Sequence, residues 1–469
     1  MGLSGQLSVG GDAGADFSRY TVQPHTEVKP VKFSNKRSIK VRLLPKGSTE
    51  RKLRRLGELF AKAFNELNYM RRQQFFSGQR IDFKGTAKAV YEKYKGVLGS
   101  ANITQLINKN NEAWHSFFSL IKAKNEGKLP SWFNVSPPGY WKEEKKRRLI
   151  ILIVNNGYAV DENSKIIFLK WFKISIPFAG RLQWYGKQGR LEIIYDETKG
   201  RWYAHVPVEV GVETTKYGNK AKFIVRGERK TIQKESPKGS KIASIDLGIN
   251  ILASAVVEDG TWLLYKGARA KEDFFYFQKK IAEARSLEDR TKNMKLYEWV
   301  EELRLERRRL EGKLKRRIAH LYRTLASDLI KRLWSYGVSA LYIGYPYDIV
   351  QERGDKLTGN FWSYRKLMDA IELEAQEYGI KVYEVIEYST SRVCAYHGVE
   401  VIRNPRGVVK CPLGHKLHAD LNGALNIIKK ATGKIIENVA KPLSFIVGHN
   451  GVAPAKGSNP QDLGVSLAL

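Results

Sequence analysis

Cysteine is almost absent from this chain of 469 residues, which carries only two. Two thiols cannot build the disulfide framework of a small secreted scaffold. No stretch of about 18 apolar residues occurs, so no segment reads as a transmembrane helix. The opening, "MGLSGQLSVGGDAGADFSRY", lacks the basic-then-apolar order of a secretory signal. Acidic residues are also in short supply: 48 Asp and Glu stand against 81 Lys and Arg, a formal net charge of +33. That surplus exceeds what solubility requires and implies a standing attraction to a polyanion. Nucleic acid is the expected partner, a membrane is not, and the expected location is the cytoplasm, associated with the nucleoid. Hydrophobic residues make up 42% of the chain, enough for sizeable cores. The length predicts two or three domains of about 100–200 residues each.

What is present falls into segments of different texture. Residues 1 to about 35 show no hydrophobic period and read as a mobile arm or an irregular first strand. "SIKVRLL" then alternates as a strand. After the Gly47-Ser48-Thr49 turn, apolar residues recur at Leu53, Leu56, Phe60, Phe64 and Leu67 with helical spacing, and helix-like sequence continues to about Lys128. From about 145 to 235 come short runs such as "LIILIV", "RLEIIY" and "RWYAHVPVEV", broken by Gly, Asn and Asp, which predict an all-β barrel or sandwich. "KIASIDLGINILASAVVEDGTWLLYKG" holds three apolar runs separated by tight turns, the pattern of a three-stranded antiparallel meander. Asp246 ends the first run between Ile245 and Leu247, where a central strand stops, and reads as functional rather than as a solvated strand residue.

A long charged helix is predicted over "EELRLERRRLEGKLKRRIAHLYRTLASDLIKRLWSYG", with its basic excess lying against phosphate. "VSALYIG" follows as a buried strand, then an amphipathic helix closed by Gly379, then the strand "IKVYEVIE". Both cysteines, and three of the eight histidines, lie in the next stretch, "SRVCAYHGVEVIRNPRGVVKCPLGHKLHADLNGALNI".

The order "SIDLG", basic helical insertion, strand–helix–strand and "TSRVCAYH…CPLGHKLHADLNGALNI" resembles the RuvC-type nuclease half of the TnpB family, in an archaeal-type variant. These are transposon-encoded RNA-guided nucleases related to compact type V CRISPR effectors. The resemblance covers roughly residues 241 to 432; the N-terminal half resembles the family in architecture alone. It implies a multidomain α+β protein. After an N-terminal arm (1–35), a wedge β-barrel (36–47 and 140–238) encloses a helical recognition lobe (48–139). A RuvC-like, RNase H-like α/β nuclease (239–389 and 417–435) carries an inserted zinc-binding unit (390–416), and a C-terminal tail (436–469) follows. The tail's last third, dominated by Gly, Pro, Asn and Ser, reads as mobile.

Cys394 and His397 stand as C-x-x-H, and Cys411 and His415 as C-x-x-x-H, around a turn-rich "NPRG". Two thiolates and two imidazoles at such spacings can close one structural zinc site in a knuckle too small for its own core. The family usually has two C-x-x-C pairs, so the histidines are a departure, and His418 competes with His415 as the fourth ligand. The resemblance makes Asp246 and Asp420 the first and last acidic motifs. Together with a third carboxylate they would hold two magnesium ions for phosphodiester hydrolysis. Where the family has its middle glutamate, this chain has Gly344. Asp348 or Glu352 in the following loop are local replacements; Glu387, at the end of the adjacent strand, is preferred. The resemblance thus implies an RNA-guided, magnesium-dependent DNA endonuclease with a guide noncoding RNA, a double-stranded DNA target beside a short flanking motif, and a monomer as the simplest expectation. A nuclease-dead RNA-guided binder that represses transcription is the alternative.

Overall fold

The structure is a computed structural model that describes residues 28–129, 133–143, 146–214, 223–345, 364–386, 390–405 and 407–455. The Lys36–Leu43 strand alternates, with Ile39, Val41 and Leu43 buried and Lys40 and Arg42 exposed. It leads through Gly47, whose φ of +52° suits glycine, into helices α1 (Gly47–Phe76), α2 (Phe83–Leu98) and α3 (Ser100–Asn125). The predicted helical stripe is the buried one: Leu53, Leu56, Phe60, Phe64 and Leu67 all face a core shared with the β-unit that follows. Phe64 stacks on Trp141 at 4.0 Å, joining the helices to that unit.

Among the described residues the β-unit, expected as an all-β barrel or sandwich, is a nine-stranded antiparallel sheet with a branched pairing path. The Arg201–Val210 strand explains this, because its ten residues pair with Leu191–Asp196 at one end, Gly186–Gln188 at the other and Lys36–Leu43 along its length.

Among the described residues the second sheet has eight strands. The meander Lys241–Asp246, Ile251–Val257 and Trp262–Lys266 is antiparallel, and Val338–Tyr345 and then Lys381–Ile386 add in parallel beside its first strand. Helices α4 (Ala268–Asn293) and α5 (Tyr297–Ser335) connect the meander to Val338–Tyr345, and α6 (Tyr364–Glu377) precedes the strand Lys381–Ile386. α7 (Ala419–Thr432) closes the unit. Period-two alternation sorts the first strand's side chains between two cores. Ala243, Ile245 and Leu247 pack with α5 and α6, while Ser244 points the other way and donates to the Ala424 carbonyl of α7 at 2.7 Å. Leu421, Ala424, Leu425 and Ile428 form the α7 stripe that covers Val256, Trp262 and Leu264.

The stretch read as a mobile arm or an irregular first strand contributes a short strand, Val28–Pro30, which pairs antiparallel with Lys381–Ile386 at the sheet edge, with Val31 and Phe33 packed on the core behind it. The tail expected after 435 contributes two strands, Leu443–Gly448 parallel to Trp262–Lys266 and Gly451–Pro454 folded back on it. The alternation in "LSFIVG" explains it, since Phe445 and Val447 are buried while Ile446 is exposed. The arginines of α5 are also less free for phosphate than their number implies. Arg304 and Arg307 both reach Glu288 at 2.9 Å, Arg317 forks onto Asp273 at 2.9 and 2.8 Å, and Arg332 forks onto Asp328.

Phe445 stacks on Tyr265 at 5.1 Å beneath the Arg332 guanidinium. Phe445→Ala is therefore expected to destabilise the second unit by about 3–5 kcal/mol, read by chemical unfolding. An unchanged midpoint would mean that the tail strands do not belong to this core.

Candidate metal centres

Asp246 is the last residue of the Lys241–Asp246 strand and shares the α7-facing side with Ser244. α7 approaches so closely that a Cβ on Gly423 would overlap the Asp246 carboxylate, with Cγ only 2.8 Å away. Glycine is the residue that permits this approach. From the other side, a Cβ on Gly248 would lie 3.5 Å from Oδ1 of Asp420. The chain turn after Asp246 and the first turn of α7 therefore bring the two predicted carboxylates to one rim, at the carboxyl ends of the central strands.

Asp420 sits one residue inside α7. Its backbone N–H donates to Nδ1 of His418, the capping residue, at 3.3 Å, and the same nitrogen lies 3.5 Å from Oδ2. Burial pushes the Asp420 carboxyl above its ordinary value, opposed by the nearby charges of His418 and Arg403. Desolvated carboxylate oxygens at a shared rim suit a hard divalent cation, whose charge relieves the cost of ionisation. Arg403 was missed by the sequence reading. It lies in the turn of the knuckle, 17 residues before Asp420 in sequence, and nothing in a single chain signals that proximity.

The middle position is also resolved in part. Ile245 pairs with Ile343, which sets Gly344 at the next step beside Asp246. Gly344 is buried and pairs with Val385 on the far strand. Glu387, Asp348 and Glu352 all lie outside the described residues. The far strand does carry one described carboxylate near this rim, Glu384. It pairs with Ile343, whose side chain belongs to the α5–α6 core, and Arg365 of α6 holds it. Glu384 therefore faces away from Asp246.

The two cysteines and their histidines converge. Sγ of Cys394, His397 and His415 offer ligand atoms all within 4.8 Å of one another. Sγ of Cys394 lies 3.8 Å from Nδ1 of His415, and Sγ of Cys411 lies 3.3 Å from Nδ1 of His397. A tetrahedral zinc with bonds of 2.0–2.3 Å requires ligand–ligand separations of roughly 3.3–3.8 Å, so this donor set fits the ion. The knuckle is held open by short-range backbone bonds, Gly398 N–H to Cys394 O and Cys411 N–H to His415 O, both 2.8 Å. His418 is instead spent on capping α7 and packs edge-on to Trp262 at 5.6 Å. Cys394, His397 and His415 form the mutual cluster, and Cys411 joins it through its contact with His397.

The chain is similar to several known proteins. A family described as a probable transposase (OrfB_IS605) matches residues 205–350, and one described as a Cas12f1-like TNB domain matches residues 364–427. Among solved structures, the cryo-EM structure of a Cas12f1–sgRNA–target DNA complex is similar at 13% identity and a TM-score of 0.47, over 84% of this chain and 98% of that one. The crystal structure of Alicyclobacillus acidoterrestris C2c1 with single-guide RNA is similar at 10% identity and a TM-score of 0.32, over 89% and 73%. The TnpB-like protein ORF457 of Acidianus two-tailed virus is 61% identical over 458 residues, which span 97% of this chain and 99% of that protein. Identity at that level over nearly the whole of both chains shows that this chain belongs to the TnpB-like family.

Proposed function

We propose that the chain is an RNA-guided, magnesium-dependent DNA endonuclease of transposon origin that cuts beside a short flanking motif. The observation that carries this reading is the meeting of Asp246 and Asp420 at one strand-end rim, in a TnpB-like chain with a net charge of +33. Magnesium, when bound there, would activate water and stabilise the leaving oxygen. Asp246 and Asp420 would supply hard oxygen ligands, and Arg403 would place a cation beside the incoming phosphate. The basic surface would hold an RNA–DNA duplex by its backbone, while base pairing supplies sequence specificity.

The third carboxylate in this reading is Glu387. Parallel register puts Tyr342 with Tyr383 and Gly344 with Val385, so odd-numbered positions of the far strand share the face of Gly344. A strand extended by one residue would place position 387 on that face, and a carboxylate there would supply the charge that Gly344 lacks. The buried Gly344 also favours a second reading, a nuclease-dead guided binder that acts by occupancy. Asp348 and Glu352 remain the local substitutes within the first reading.

Cleavage of guided duplex DNA separates these readings. Asp246→Asn, Asp420→Asn and Glu387→Gln are each expected to lower the cleavage rate by more than about 100-fold while guided DNA binding persists. Normal cutting by Glu387→Gln would move the third carboxylate to Asp348 or Glu352. Binding without any cutting by the unaltered protein, in magnesium or manganese, would establish the binder.

One zinc is proposed on Cys394, His397, Cys411 and His415, with a structural rather than chemical part. Cys394→Ser or Cys411→Ser is expected to release about one zinc per chain and to loosen the knuckle, because ligation and local folding are coupled. Elemental analysis finding no zinc in the unaltered protein would refute this assignment.

A further inference from the structure

Three polar residues of α7, Asn422, Asn426 and Lys429, fall at i, i+4 and i+7, on one stripe of the helix. All three hydrogen-bond to the main chain of the turn that carries Cys394. Oδ1 of Asn422 accepts from Ala395 N–H at 2.9 Å, and its Nδ2 donates to Val393 O at 2.8 Å. Nδ2 of Asn426 donates to Thr390 O and Val393 O at 2.8 and 2.9 Å, and Nζ of Lys429 donates to Ala395 O at 2.7 Å. Asn422 and Asn426 are 0% and 4% exposed, so these bonds form away from water, where an unmet amide is costly.

The other half of the knuckle reaches the same helix through the chain. The strand Val408–Lys410 pairs with Lys416–His418, and His418 runs directly into α7 as its capping residue, two positions before Asp420. One pair of knuckle ligands is thus tied to α7 by side-chain hydrogen bonds and the other by covalent continuity. A metal that joins the two pairs closes a loop through the helix that carries Asp420.

We propose that Asn422 and Asn426 are positioning residues: they convert closure of the Cys394–His397–Cys411–His415 centre into a fixed rotation and depth of α7, and so into the placement of Asp420 against Asp246. Neither asparagine is expected to touch nucleic acid or a catalytic ion. The inference rests on the metal assignments made above, and it concerns how the knuckle communicates with the rim. Separating the two asparagines from the knuckle should leave the zinc ligands in place but release the first two turns of α7.

The test is hydrogen exchange of the peptide 419–428 in the full chain, measured for the unaltered protein and for Asn422→Ala/Asn426→Ala, each before and after zinc chelation. The expected result is at least tenfold faster exchange on chelating the unaltered protein, and the same fast exchange in the double variant with its zinc still bound. In parallel, the magnesium concentration for half-maximal cleavage should rise at least tenfold in the double variant at unchanged guide-RNA affinity. Asn422→Ala/Asn426→Ala with a protected α7 would overturn the proposal, as would an unaltered α7 that stays protected after chelation. If the unaltered protein does not cleave at all, the nuclease reading fails, yet the exchange comparison still decides whether the asparagines hold the helix.

Discussion

The rest of the site depends on how closely the backbone of α7 approaches the Lys241–Asp246 strand of the second unit. A helix normally rides on a sheet with a layer of side chains between them. Here Gly423 removes that layer beneath Asp246, and the Ser244 hydroxyl bonds directly to the Ala424 carbonyl. Packing on the meander then comes from Leu421, Leu425 and Ile428, which flank the small residues. Two acidic residues 174 positions apart in sequence are brought to one rim by this approach, and burial pushes the Asp420 carboxyl above its ordinary value. The same close approach explains why the knuckle lies where it does, since the stripe of α7 next to the apolar one is free to bind its main chain.

Charge is distributed in a way that the net figure hides. Many cations are paired within the protein, as in the forks of Arg317 on Asp273 and Arg332 on Asp328. Others lie over aromatic rings, such as Lys40 over Tyr203, Arg229 over Trp184 and Lys238 over Trp334. These contacts anchor the stems of the side chains. Internal pairing leaves the formal net charge of +33 unchanged, and it is this surplus that the proposed nucleic-acid partners would meet.

Much of this was legible in the chain. The meander was readable because each run is apolar and each turn carries Gly or Asp, and Asp246 was conspicuous because it breaks an apolar run at its end. The Cys–His cluster of the knuckle was readable because cysteine occurs nowhere else. What could not be read was partnership at long range. Val28–Pro30 is three residues long and gains its strand character from pairing with Lys381–Ile386. Leu443–Gly448 alternates clearly enough, but the Gly- and Pro-rich sequence after it masked the pattern. Arg403 carries no local sign of its nearness to Asp420, and the choice between His415 and His418 needed the capping geometry of α7.

The close approach of α7 can be tested by adding a single carbon. Gly423→Ala places a methyl group where the Asp246 carboxylate stands, and since that carboxylate is the movable partner, the side chain rather than the fold should yield. The account predicts a folded protein with its guide RNA and zinc binding intact, and guided DNA cleavage reduced at least tenfold, with partial recovery at higher magnesium. Cleavage at the unaltered rate by a folded Gly423→Ala protein would contradict it, because Asp246 and Asp420 would then not need the rim that this contact builds.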